Sequence, residues 1–231
     1  MADAGKPNSQ YNMARPDSLT VRVIHRQREI MFARWMSRCA VRPEDTILDV
    51  GVTSDTSYSS SNYLEAWYPH KDKVVAAGID DAKFLEELYP GMTYVKANGL
   101  DLPFEDQSFD VVHSSAVLEH VGSARNQAAF IRECARVARR ALFLTTPNRW
   151  FPVEVHTSLP LIHWLPKPVF RGVLAKTPLR FFADEANLNL MTPAELLAAG
   201  REVPGWDMAV DGVRLGGFTS NLLLGGTRRA R

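Results

Sequence analysis

Residues 46–80 read TILDVGVTSDTSYSSSNYLEAWYPHKDKVVAAGID and carry the clearest architectural signal of the chain. The segment contains two short apolar runs, of which the first ends at Gly51 and the second leads into the acidic pair Asp80-Asp81. In open α/β sheets, the turn after the first strand approaches a nucleoside, and a carboxylate after the second strand binds the ribose hydroxyls. The pattern therefore predicts a parallel sheet with a nucleoside-binding edge.

The turn after the first strand departs from the glycine-rich sequence that usually stands there. Only Gly51 is present, and the residues that follow, such as Thr53 and Ser54, carry β-carbons where a backbone normally meets its ligand. The interval from Gly51 to Asp80 also exceeds the roughly 20-residue spacing of nucleotide-binding βαβ units. Residues 57–69 supply the extra length, either as a structural insert or as a lid whose side chains face the ligand, namely Tyr58, Asn62, Tyr63 and Trp67.

Length and composition are those of one ordinary globular domain. The 231 residues are 45% hydrophobic and 23% charged, and the net charge of +1 disfavours nucleic acid as a partner. Cys39 and Cys134 are too few for a disulfide framework and lack zinc-type spacing, which favours a reducing compartment. The first 16 residues lack the apolar core of a signal peptide, so we expect a cytoplasmic protein. The sequence carries no signal for an oligomeric state.

Strand and helix patterns alternate along most of the chain. A helix is predicted over 18–39, strands over 46–50, 74–79, 93–96, 109–113 and 141–145, and helices over 60–67, 81–89, 115–121 and 124–139. This alternation is typical of a parallel sheet with helices on both faces. The stretches 207–213 and 218–224, joined by a glycine-containing turn, predict an antiparallel hairpin. We therefore expect an N-terminal arm and helix at 1–45 and a main domain at 46–231, with an insertion at about 146–190.

Four sequence blocks follow one another in an order that matches a known family. They are Asp49-Val50-Gly51, Gly78-Ile79-Asp80, the run LPFEDQSFDVV at 102–112, and LEHV at 118–121. Together they resemble the class I S-adenosylmethionine-dependent methyltransferases that act on small molecules, over about residues 46–148. The resemblance implies a Rossmann-like, seven-stranded, mostly parallel sheet that ends in an antiparallel hairpin. It also implies S-adenosylmethionine as cofactor and methyl transfer to oxygen or nitrogen of a small-molecule acceptor.

The resemblance assigns residues to the cofactor. Gly51 would pass close to its methionine portion, Asp80 would accept hydrogen bonds from the ribose, and Asn98 would flank the adenine. The predicted cofactor-binding residues are Asp49, Gly51, Thr53, Asp80, Asp81, Asn98, Gly99, Ser114 and Ser115. Asp49 could instead cap a turn, and Asp80 and Asp81 could cap the following helix.

A second candidate site follows the fifth strand, where α/β sheets place substrate loops. Methyl transfer to a hydroxyl needs a base, and His156 oriented by Glu154 suits that role, with His120 as a further candidate. The predicted substrate residues are Asn148, Arg149, Trp150 and His163. The alternative is a proline-rich loop held by buried histidines, with His120 as a hydrogen-bonded helix residue. The spacing of Glu154, His156 and His163 matches no recognised ligand pattern, so we expect no metal there.

The segment after residue 146 is unusually apolar for a loop. Trp150, Trp164 and their apolar neighbours could cover an apolar or lipid-like acceptor, with Lys167 and Arg171 at the rim for peripheral membrane contact. Packing against the first helix is the alternative. The rival function is a catalytically inactive binding or scaffold protein of the same fold, which the altered glycine loop favours. A nucleic-acid methyltransferase is disfavoured by the near-neutral charge and by the absence of an Asn-Pro-Pro-aromatic motif after the fourth strand.

Overall fold

The computed structural model describes residues 18–56 and 60–230. The predicted arm at residues 1–17 and Tyr58 of the predicted lid lie outside the described residues. The elements in chain order are α1 (Leu19–Arg38), β1 (Ile47–Val50), α2 (Tyr63–Trp67), β2 (Val74–Gly78), α3 (Leu85–Leu88), β3 (Thr93–Lys96), β4 (Phe109–Ser115), α4 (Ala124–Val137), β5 (Ala138–Pro147), α5 (Lys167–Leu174), α6 (Pro193–Arg201), β6 (Trp206–Leu215) and β7 (Phe218–Arg228).

The seven strands form one sheet in the order β3-β2-β1-β4-β5-β7-β6. Strands β1 to β5 pair in parallel, and β7 runs antiparallel to both β5 and β6. This is the predicted mostly parallel sheet with a C-terminal hairpin, and the predicted fold class is confirmed. The strand order reverses between β1 and β4. In open α/β sheets a ligand crevice opens beyond the carboxyl ends of the strands at such a reversal.

The residue pattern explains why these elements form. All four residues of β1 are buried, as expected for a central strand covered on both faces. Ser123 accepts a hydrogen bond from the amide of Asn126 at the start of α4, and Thr192 and Glu195 form a capping box at the start of α6. These caps fix where α4 and α6 begin.

Alternation along β1 divides its side chains between two cores. Leu48 and Val50 pack on the side of α4 and α6, whereas Ile47 packs with Trp35 on the side of α1 and α2. By the same alternation Asp49 faces the α1 and α2 side. This orientation determines what the Asp49 carboxylate can contact.

The segment after β5 forms a third, smaller core of its own. Phe170, Leu174, Phe182, Leu188 and Leu190 are buried together. Packing on the first helix was one prediction for this segment. Its apolar residues pack instead on one another around the short α5. Among the described residues, no helix combines the length and the apolar character needed to cross a membrane.

The segment 115–121 differs most from its prediction. It contains the end of β4 and a single turn of 3₁₀-helix, Leu118–His120, rather than a full helix. The Ala116 amide donates to Thr145 O at 3.0 Å, so β4 pairing continues where a helix was expected. Ala116 then adopts a left-handed backbone (φ 56°), a strained conformation for a residue with a β-carbon.

Candidate active site

The turn after β1 is held by protein contacts rather than by a run of glycines. The amides of Gly51 and Val52 both donate to Ala77 O, at 2.7 and 3.2 Å. Gly51 has a left-handed backbone (φ 101°), and a β-carbon there would lie 2.1 Å from a methyl carbon of Val117. Glycine at position 51 is therefore favoured both by its left-handed backbone and by the close packing of Val117.

The residues after Gly51 are fixed by a side chain from the insert at 57–69. Asn62 accepts a hydrogen bond from the Thr53 amide and donates one to Thr53 O, both at 3.0 Å. The Thr53 hydroxyl accepts from the Asp55 amide at 3.1 Å. Asn62 is buried, and its side-chain amide pairs with the loop's main chain as the backbone of a neighbouring segment would. The pairing of Asn62 with Thr53 was not predicted from the sequence.

The insert itself packs as structure rather than as a lid. Tyr63 and Trp67 of α2 meet the ring of Phe32 on α1 edge to face, with centroids 6.4 and 5.8 Å away. Both contacts belong to the core behind β1 and β2. The described part of the insert thus matches the structural alternative.

The end of β2 presents a carboxylate beside an exposed apolar side chain. Asp80 is half-buried, and this burial raises the pKa of its carboxyl, against the charge of Lys96 and a hydrogen bond from Ser54. Ile79 is 65% exposed, which is unusual for a large aliphatic side chain at a strand end. Asp81 accepts from the Lys83 amide at 3.3 Å, as expected of a turn cap. Ile79 was not predicted as a site residue, although its position beside Asp80 was visible.

The remaining predicted cofactor residues fall into two groups. Asn98 is exposed, and its side-chain oxygen accepts from the Leu100 amide at 3.0 Å, which leaves its amide group toward solvent. Ser114 is buried and donates to Val50 O at 2.6 Å, and Ser115 shares a hydrogen bond with Thr145. The two serine hydroxyls therefore bridge neighbouring strands.

Gly99 is required by packing in the same way as Gly51. A β-carbon at Gly99 would lie 2.4 Å from the ring of Phe130 on α4. The close approach of α4 to the end of β3 therefore fixes this glycine. Its role beside the adenine stays a prediction.

Asp49 belongs to a buried polar chain behind β1. Its carboxylate accepts from His113 Nδ1 at 2.7 Å, and the Tyr63 hydroxyl donates to His113 Nε2 at 2.8 Å. Burial raises the pKa of Asp49 to about 7 and lowers the pKa of His113 to about 4. The predicted contact of Asp49 with the cofactor stays a prediction, since its described partners are these protein groups.

Glu65 adds a second carboxyl to this chain. It is fully buried, and its carboxyl lies against that of Asp49. Burial first, and then the neighbouring Asp49 carboxylate, raise the pKa of Glu65 well above its usual value. Two carboxyls in one apolar pocket favour the neutral form of at least one of them.

The loop after β5 brings a carboxylate and a histidine together. His156 Nδ1 donates to Glu154 Oε1 at 2.7 Å, and the Thr157 amide donates to Glu154 Oε2 at 2.6 Å. Although burial opposes it, the charge of His156 and these hydrogen bonds hold the pKa of Glu154 at about 2. Burial alone would lower the pKa of His156, but the Glu154 charge raises it. The predicted pairing of these two residues is present.

His120 joins the same cluster from the 3₁₀ turn after β4. Its ring meets that of His156 edge to face at 4.9 Å, and its Nδ1 donates to Asn187 O at 2.7 Å. Burial, followed by the charge of His156, lowers the pKa of His120 to about 3. Glu119 lies beside it, fully buried, and accepts from the Thr146 hydroxyl at 2.8 Å. The sequence interpretation quoted Glu119 only within a motif.

Three of the predicted substrate residues hold the loop in place. Asn148 donates to Thr219 O at 2.8 Å, and Arg149 donates to His163 O at 3.2 Å. His163 is buried and donates to Phe151 O at 2.7 Å, as in the alternative of a loop held by buried histidines. The crevice lined by Asn148, Glu154 and His163 has no interior room for a water molecule. The loop therefore lies closed on this crevice in the structure.

Comparison with known proteins agrees with this geometry. Residues 60–143 match the family model described as "Methyltransferase domain". The solved magnesium protoporphyrin IX methyltransferase of Synechocystis aligns with a TM-score of 0.58 at 16% identity, over 95% of this chain and 91% of that one. The chain has the class I methyltransferase fold. The family resemblance predicted from the sequence is confirmed.

A curated relative extends the similarity at higher identity. "Probable S-adenosylmethionine-dependent methyltransferase Rv3030" of Mycobacterium tuberculosis is 33% identical over 128 residues. The match covers 54% of this chain and 42% of the relative, so the chain spans less than half the length of that protein. The cyclase SpnF also aligns, with a TM-score of 0.59 at 12% identity over 88% of this chain and 82% of that one. The methyltransferase fold is thus shared by a protein named for a different reaction.

The surface around the loop of this methyltransferase fold is apolar. Eight large apolar side chains between residues 150 and 173 are exposed, which is a dense grouping for one segment. They are Trp150, Val153, Val155, Leu161, Trp164, Leu165, Val169 and Val173. The predicted cationic rim is paired: Lys167 lies 3.3 Å from Glu195, and Arg171 lies 2.9 Å from Glu185.

Replacing Glu65 with glutamine should stabilise the protein at alkaline pH. The folded state holds protons on Glu65 and Asp49 that the unfolded chain releases above about pH 4. Their contribution therefore destabilises the fold increasingly as the pH rises toward and past 7. At pH 8 we expect Glu65→Gln to melt about 3 °C or more above the wild type, since about 1 kcal/mol shifts a domain of this size by 2–4 °C.

Thermal melting at pH 5 and pH 8 measures this effect. The matched control is Glu87→Gln on α3, because Glu87 is an exposed carboxylate. The control should follow the wild type at both pH values. Parallel pH profiles for Glu65→Gln and the wild type would show that Glu65 is not a source of the pH-dependent loss.

Proposed function

We propose that the chain transfers a methyl group from S-adenosylmethionine to an oxygen or nitrogen of a small-molecule acceptor. The main support is that two groups of candidate site residues lie beyond the carboxyl ends of strands of the same sheet. Gly51 and Asp80 follow β1 and β2, while His120 and His156 follow β4 and β5. These are the strands on either side of the reversal in strand order, where such sheets bind their ligands.

The residues after β2 and β3 fit the adenosine part of the cofactor. Ile79 offers an exposed apolar surface for the flat base, and Asp80 offers carboxylate oxygens to the ribose hydroxyls. Asn98 stands exposed after β3 with an amide that can reach the base. The Asn62 side chain holds the loop after Gly51 in one conformation, which supports binding by an altered loop rather than loss of binding.

The cluster after β4 and β5 fits the proton transfer that a hydroxyl acceptor needs. S-adenosylmethionine, when bound, supplies an electrophilic methyl group on a sulfonium. Glu154 holds the Nδ1 proton of His156, which leaves Nε2 as the atom that takes the acceptor's proton. The same carboxylate stabilises the imidazolium that results. Closure of the loop over the crevice excludes water from the displacement.

Cofactor binding is tested by calorimetry with S-adenosylmethionine and S-adenosylhomocysteine. We expect binding by the wild type, and Asp80→Ala should weaken it about ten-fold or more, because a charge-assisted hydrogen bond contributes about 1.5–3 kcal/mol. The control is Asp72→Ala, an exposed carboxylate near the opposite end of β2. It should bind as the wild type does. No binding of either compound by the wild type would favour the scaffold alternative.

The base is tested by replacing His156 with glutamine. A positioned base contributes about 10²–10⁴-fold to proton transfer. We therefore expect His156→Gln to lose about that much turnover on phenols and alcohols, and far less on amines, which attack before losing a proton. S-adenosylhomocysteine release across a panel of small phenols, alcohols and amines measures this. His70→Gln is the control, and equal losses on both acceptor classes would contradict a base role.

The exposed apolar side chains favour an acceptor with an apolar or lipid-like part. The rings of Trp150 and Trp164 lie edge to face, with their centroids 6.3 Å apart. Trp150 is 46% exposed and Trp164 is 39% exposed. Aromatic side chains of this kind enter the interfacial region of a bilayer. We therefore propose that this surface contacts a lipid bilayer and takes up the acceptor from it.

Vesicle flotation tests this surface. The wild type should float with anionic phospholipid vesicles, and Trp164→Ala should reduce the floated fraction several-fold because it removes an interfacial anchor. Leu88→Ala on α3 is the control, because Leu88 is an exposed apolar side chain next to the edge strand β3, on the other side of β1 from β5. If the wild type remains unbound, or if Leu88→Ala has the same effect, the surface is not a lipid contact.

A further inference from the structure

Three metal-ligating side chains converge where the loops after β4 and β5 meet. One carboxylate oxygen of Glu119 and one ring nitrogen each of His120 and His156 lie within 4.8 Å of one another. Glu119 and His156 are buried, and His120 is half-buried. Glu119 and His120 belong to the 3₁₀ turn after β4, and His156 comes from the loop after β5.

Each histidine of this cluster has its Nδ1 held by an acceptor. His120 Nδ1 donates to Asn187 O and His156 Nδ1 donates to Glu154 Oε1, both at 2.7 Å. Such bonds fix the tautomer and the ring orientation, and they are the usual outer partners of metal-bound histidines. They make Nε2 the ligand atom in both rings.

The carboxylate of Glu119 is arranged in the same way. Its Oε2 accepts from the Thr146 hydroxyl at 2.8 Å, and its Oε1 lies 3.8 Å from His120 Nε2. Oε1 is fully buried and has no hydrogen-bond partner in the part of the chain that the structure describes. A buried carboxylate oxygen without a donor is costly unless a proton or a cation satisfies it.

We propose that Glu119, His120 and His156 bind one divalent transition-metal ion of the zinc type. Two imidazoles and one carboxylate suit Zn²⁺ and its neighbours, whereas Mg²⁺ and Ca²⁺ prefer oxygen ligands. Bonds of about 2.1 Å in a tetrahedral arrangement place ligand atoms about 3.4 Å apart. The ligand atoms would move up to about 1.4 Å closer together to reach this geometry, and a fourth position would remain for water or an acceptor.

The location gives the ion a chemical role that rests on the proposed function. An ion held here would lower the pKa of a hydroxyl acceptor, whose proton would pass to solvent. His156 would then be a ligand rather than the base, because a metal-bound nitrogen accepts no proton. Metal binding itself does not depend on methyl transfer and can be measured without cofactor or acceptor.

Competition for Zn²⁺ between the full chain and a chromophoric chelator at pH 7 tests the site. We expect one Zn²⁺ per wild-type chain. His120→Gln and His156→Gln should each weaken binding about 100-fold or more, and Glu154→Gln, which removes only an outer partner, about 10–100-fold. The control is His25→Gln, a partly exposed histidine on α1 that lies outside both the loop and the cluster, and it should keep wild-type affinity.

Two measurements on the wild type guard against variants that fail to fold. Zn²⁺ should raise the melting temperature of the wild type, since an ion bound only to the folded state stabilises it. Co²⁺ in its place should give the intense visible absorption of a four- or five-coordinate site. No zinc and no thermal shift, an aqua-like cobalt spectrum, or unchanged affinity in folded His120→Gln and His156→Gln would each overturn the proposal.

Discussion

The contact between Val117 and Gly51 joins the two halves of the candidate site. A methyl carbon of Val117 occupies the space where any other residue at position 51 would carry its β-carbon. This contact sets the end of β1 against the chain leaving β4, and the turn that carries Glu119 and His120 follows directly. The geometry of the cofactor edge and that of the histidine cluster therefore depend on one packed contact.

Two carboxylate–histidine pairs in this chain show how surroundings decide the charge of the same chemical groups. Asp49 and His113 lie in an aromatic core, where burial raises the pKa of Asp49 and lowers the pKa of His113. Glu154 is equally buried, yet backbone amides and the side chain of His156 donate to its oxygens. Those donors hold the pKa of Glu154 low, and its charge then raises the pKa of His156. The first pair is suited to structure and the second to proton transfer or metal binding.

The strands were predictable because central parallel strands leave short, continuous apolar runs in the sequence. Predicted site residues at strand ends, such as Asp80 after β2 and Asn98 after β3, were visible for the same reason. Partners that depend on the path of a loop were not. Asn62 reaches Thr53 only because the insert folds back, and Glu119 meets His156 only because the segment after β5 forms its own small core. Ser114 was predicted as a cofactor-binding residue, but its hydroxyl donates a hydrogen bond to Val50 O of β1, a partner that sequence alone does not indicate.

The position of the loop after β5 determines the geometry of the Glu119, His120 and His156 cluster. His156 lies on this loop, whereas Glu119 and His120 lie on the turn after β4, so any shift that admits an acceptor also separates His156 from its two neighbours. A ligand that contacts both the loop after β5 and the turn after β4 would bind the closed state more tightly than the open state. Its binding would therefore favour the closed state. An acceptor that reaches only one side would gain no such closure. In the proposed reaction, closure of this loop would both assemble the cluster and exclude water.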